Sequence, residues 1–87
     1  MNSFNTILLQ PKTVVKQIIE QIPLNDIAMA LKFEEQDIRD YFIENMTNEQ
    51  KQILQALFSD IDEATPEDSN KAKIYINKIL KEIVINN

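Results

Sequence analysis

The stretch that decides the fold is Leu24 to Met46, LNDIAMALKFEEQDIRDYFIENM. Its apolar residues recur at helical rather than strand spacing. Leu24, Ile27, Ala28 and Leu31 share one stripe, and Ile38, Tyr41 and Phe42 share another. Between them, Lys32 to Glu34 interrupts the pattern, so the stretch predicts two short helices joined by a tight turn. The rest of the chain reads as further helices stacked on this pair.

On the N-terminal side, an apolar entry segment (Phe4, Ile7, Leu8, Leu9) leads to Pro11, which suits a helix start because its missing N–H is not needed there. Val14, Val15, Ile18, Ile19 and Ile22 then form a stripe, with Lys16, Gln17, Glu20 and Gln21 opposite. Pro23 ends this helix and begins the next. On the C-terminal side, Asn45-Met46-Thr47 breaks the pattern. This triplet matches a glycosylation sequon, but Thr47 with Gln50 three residues on is also a capping box, and in a chain without secretory features the cap is the better reading. The fourth helix is expected to turn Ile53, Leu54, Leu57 and Phe58 inward. Ser59 to Ala64 reads as an acidic connector. Thr65-Pro66-Glu67-Asp68 combines a capping hydroxyl, a first-turn proline and acids at the positive helix end. The last helix is expected from Pro66 to about Val84, burying Ala72, Tyr75, Ile76, Ile79, Leu80 and Ile83.

The reading is therefore all-α: one domain over residues 1–87, with five helices and short loops that make consecutive helices neighbours. An armadillo-like right-handed superhelix of helix pairs is the expected architecture, with a compact helical bundle as the alternative.

Composition narrows the chemistry. The 87 residues contain no Cys, no His and no Gly. That removes thiolate sites, the commonest general base and metal ligand, and the glycine loops that cradle phosphates. The acidic set Asp60, Asp62, Glu63, Glu67 and Asp68 lacks the glycine turn of a calcium loop, so it reads as a solvated connector with capping acids. A net charge of −5 argues against nucleic-acid or anionic-membrane binding. No apolar run approaches the roughly 20 residues of a membrane span, and the N-terminus lacks the pattern of a signal peptide. The residues thus predict a chain that is not an enzyme, needs no cofactor or metal, and works in the cytoplasm. Lys71, Lys73, Lys78 and Lys81 on the last helix read as a solubilising face.

Once the helices are placed, the order of residues becomes familiar. Phe4 to Lys32, FNTILLQPKTVVKQIIEQIPLNDIAMALK, with its closing Ala30-Leu31-Lys32, resembles the opening of the C-terminal region of the flagellar motor switch protein FliG. The likeness continues through Ile38, Arg39, Phe42, Asn45, Met46 and Thr47 and covers nearly the whole chain. The resemblance implies an armadillo-like domain of the cytoplasmic rotor ring, at the inner face of the membrane. It implies protein partners among other switch or stator components, with homo-oligomerisation left open. A standalone adaptor that kept the fold but not torque generation is the alternative. The departures are specific. The family has a basic residue where this chain has Glu49, an acidic pair at Ala56 and Leu57, and an arginine near Thr65. It has glycine where this chain has Phe33 and Asp62. Of the torque-related charges the resemblance implies, only Lys32 keeps its sign. A partner contact is accordingly expected at Lys32, Phe33, Arg39 and Glu49. There Phe33 either points outward as an anchor or folds back onto the first or third helix.

Overall fold

The computed structural model describes residues 7–86, which form five α-helices and no strand. A single 3₁₀ turn at residues 7–9 buries Ile7 and leads into α1, Lys12–Gln21. Pro11 caps α1 in an extended conformation. The Ile22 N–H closes the helix on the Ile18 carbonyl (3.0 Å), and Pro23 at once caps α2, Leu24–Leu31. Both prolines thus mark the helix boundaries their chemistry dictates. After a turn at residues 32–35 comes α3, Gln36–Glu44, then α4, Asn48–Asp60, and α5, Pro66–Asn86.

Two helix starts are built by reciprocal side-chain caps. The Gln50 N–H donates to Thr47 Oγ1 (3.1 Å) while the Thr47 N–H donates to Gln50 Oε1 (2.9 Å). At α5 the Asp68 N–H donates to Thr65 Oγ1 (3.2 Å) and the Thr65 N–H to Asp68 Oδ2 (3.1 Å). Each box satisfies two backbone donors that a helix start otherwise leaves open. The backbone N–H of Thr65, and after it the Thr65 hydroxyl, hold the Asp68 carboxyl below its ordinary pKa, with Lys71 and Lys32 adding attraction.

Of the two helices read first from the sequence, α2 is the hub: it packs against both α4 and α5, while α1 packs against α5. Ile27, Ala28, Ala30 and Leu31 are all buried. Around them one contiguous core gathers Val15, Ile18, Ile19, Ile38, Phe42, Leu54, Ile76 and Leu80. Where α2 ends, the buried Ser69 hydroxyl donates to the Ala30 carbonyl (3.2 Å), filling a helix-end acceptor. Tyr41, at the core's edge, donates its hydroxyl to the Gln10 carbonyl and ties α3 to the entry of α1. The radius of gyration is 12.1 Å, close to the roughly 12 Å of a compact chain of this length. The helices therefore curl around one core.

Several sequence expectations need correction. On α4 only Leu54 is buried; Leu57 and Phe58 are half-buried and Ile53 is exposed, because α2 covers this helix along one narrow strip. Tyr75 is 41% exposed and Ile79 half-buried, flanking the Ala72–Ile76–Leu80–Ile83 stripe instead of joining it. The acidic connector is shorter than expected, since α4 continues through Asp60, and α5 extends to Asn86. Phe4 lies outside the described residues. No described residue has a positive φ, so every connector uses ordinary right-handed or extended backbone.

Candidate interaction surface

Three consecutive residues at the α2–α3 turn have three different fates. Lys32 crosses to the end of α4, where its ammonium donates to the carbonyls of Ile61 (2.5 Å), Asp62 (2.7 Å) and Ala64 (3.1 Å). Ile61 is the C-cap of α4, where a helix leaves carbonyls open and carries a partial negative charge, while Asp62 and Ala64 belong to the connector to α5. All three N–H donors of Lys32 are used. Glu34 turns the other way, and its Oε1 lies 2.6 Å from Lys73 Nζ on α5 with both side chains nearly buried. Phe33, between them, is 47% exposed, with the Lys32 ammonium 5.2 Å from its ring centroid. Its neighbours are fastened inward, so the ring is held outward.

Arg39 lies on the α3 side of the same region. Its guanidinium sits 4.8 Å from the Phe58 ring centroid, in the range of a cation–π contact. Its Nε is buried without a hydrogen-bond partner among the described residues. Lys32, Phe33 and Arg39 are therefore gathered around the C-terminal half of α4. Glu49 is not with them. It is exposed in the first turn of α4, beside the positive helix end. From Glu49 to Phe58 the helix rises about 14 Å.

A family model described as the FliG C-terminal domain matches residues 1–86. The chain belongs to the FliG C-terminal domain family. No curated protein and no solved structure matches it. The five helices are thus the armadillo-like fold of a flagellar motor switch-related module.

Within this FliG-family domain the positions of the departing charges are now defined. Ala56 is exposed on α4 and Leu57 half-buried beside it, while Thr65 is the α5 cap. Lys32, whose sign matches the family, has its charge committed to carbonyls. Elsewhere, a polar concavity of about 290 Å³ between α1, α3 and α4 is lined by Lys16, Glu20, Glu44, Asn45, Thr47 and Gln50, among others. No group of His, Cys, Asp or Glu that could hold a metal ion occurs among the described residues. No described helix is long and apolar enough to cross a membrane.

Sequence reasoning missed the Glu34–Lys73 pair and the Ser69 cap, each joining residues 39 positions apart, a distance that no local pattern encodes. It also passed over Ile74 and Ile85. These lie out of phase with the α5 core stripe, and that phase was the available signal.

Proposed function

We propose that this FliG-family domain is a noncatalytic, cytoplasmic protein-interaction module, related to the flagellar motor switch and docking a protein partner at the α2–α3 turn. The observation that carries this reading is the outward Phe33, fixed between two anchored neighbours. A rigidly presented aromatic ring loses little conformational freedom on binding, and such rings dominate interface energetics. In this reading Phe33 is the anchor. Lys32 and Arg39 set its orientation by their contacts with the α4 region, and Glu49 supplies a separate charge at the far end of α4. Partners among switch or stator components fit this reading.

A second reading, a standalone adaptor without torque generation, is favoured by the same residues. Ala56 and Leu57 carry no charge, and the Lys32 charge is spent inside the fold. The gene's neighbourhood separates the two: a flagellar operon supports the first and an unrelated locus the second. The docking site is tested by isolating a partner from the native organism and titrating it with wild type and Phe33→Ala. At least a tenfold loss of affinity is expected. Wild-type affinity in a folded Phe33→Ala variant overturns the assignment of this site.

A further inference from the structure

The outward face of α5 carries a pattern that its structural role does not use. Ile74 is 69% exposed and Ile85 80% exposed. They stand eleven residues apart, three helical turns or about 17 Å, on one side of the helix. Between them on that side lie Asn77, Lys78 and Lys81, with Glu82 at the edge. A groove of about 420 Å³ runs along these six residues. The core is reached from the other side of α5, through Ala72, Ile76, Leu80 and Ile83.

The charge here opposes that of the whole chain. The net charge is −5, yet from Lys71 to Lys81 there are four lysines and no acid. Lys73 is taken by Glu34. Among the described residues neither Lys78 nor Lys81 is ion-paired. A solvated helix face requires charge but does not require two large aliphatic side chains at its most exposed positions.

We propose that this face docks an acidic amphipathic helix of a partner protein, with apolar side chains seated on Ile74 and Ile85 and carboxylates facing Lys78 and Lys81. Charge decides against a second copy of this chain. An antiparallel pair of α5 helices that seats Ile74 on Ile85 sets Lys78 of one copy opposite Lys81 of the other, and like charges so placed repel. The face is separate from the α2–α3 turn and does not depend on the function assigned to it.

The probe is a synthetic four-turn helical peptide with two leucines eleven residues apart and glutamates between them on the same face. A control peptide has lysines in place of those glutamates. Amide chemical shifts of the full chain are followed on titration. The acidic peptide is expected to shift Ile74, Lys78, Lys81 and Ile85, to bind at least tenfold more weakly to Lys78→Glu/Lys81→Glu and to Ile74→Ser, and to weaken with added salt. All these substitutions are at exposed positions, and a thermal melt confirms the fold. Phe33→Ala is expected to bind the peptide like wild type. Absence of α5 shifts at millimolar peptide, equal binding of the lysine control, or loss of binding in Phe33→Ala each overturns the proposal. Self-association in sedimentation that Ile74→Ser abolishes also overturns it, by giving the face to a second copy.

Discussion

Replacing Lys32 with methionine isolates what its ammonium does. Methionine keeps most of the unbranched stem that packs along the turn and removes only the charge and the three donors. A net hydrogen bond to a charged group contributes about 1.5–3 kcal/mol. The three bonds from Lys32 do not simply add, because they share one desolvated ammonium. Moreover, the bond to Asp62 is exposed, so water can replace it there. The bonds to Ile61, the C-cap of α4, and to Ala64 in the connector are partly buried. The expected cost of Lys32→Met is therefore about 2–3 kcal/mol, which in a domain of this size lowers Tm by about 10–20 °C. Urea denaturation measures it as a shift of midpoint at unchanged slope. Lys81→Met, on the exposed face of α5, makes the same change in net charge and serves as the control. Hydrogen exchange adds a local readout, since the Ala64 amide donates to the Ile61 carbonyl (3.0 Å) within the clamped connector and should lose protection. If Lys32→Met falls within about 0.5 kcal/mol of the control, the ammonium does not hold the α4–α5 connector and its three bonds add nothing net to stability.

Three other outcomes follow from the packing. Leu54→Ala and Ile76→Ala, at fully buried sites, should each cost about 2–5 kcal/mol by denaturant titration, and the half-buried Leu57→Ala clearly less. Glu34→Gln should cost about 3 kcal/mol by removing the carboxylate charge that faces Lys73 in a nearly dry site, and pairing it with Lys73→Met should recover part of that loss. Because the folded-state pKa of Asp68 is lowered, its carboxylate stabilises the fold above the ordinary carboxylate range, and that contribution is lost as pH falls through the folded value. The stability difference between wild type and Asp68→Asn should accordingly be present at neutral pH and disappear in strong acid.

What the sequence discloses here depends on range. Features set by neighbours within one turn were legible: the proline boundaries at Pro11 and Pro23, the caps at Thr47 and Thr65, and the apolar stripes of α1 and α2. The limits appear where the answer depends on what covers a helix. Ile53, Leu54, Leu57 and Phe58 have helical spacing whether α4 is enclosed or covered along one strip, so only the tertiary arrangement singles out Leu54. Phe33 is exposed at its turn, one of the two outcomes its sequence left open. The spending of Lys32 on carbonyls 29 to 32 residues away was not legible, because a lysine in a turn has the same sequence signature whether it is solvated or clamped.

The connectors built without a single left-handed residue have a consequence for the unfolded chain. Glycine is absent, so none of the 87 residues brings glycine's backbone freedom to the denatured state. At Phe33 and Asp62, where the likeness to the family implies glycine, the folded conformation suits a residue with a Cβ. Each such exchange narrows the denatured ensemble and by that route favours folding by about 0.4–1 kcal/mol, apart from any contact the new side chain makes. Part of this domain's stability is thus located in conformations that it never adopts when folded. Restoring glycine at position 62 should lower the melting temperature while leaving the native structure unchanged.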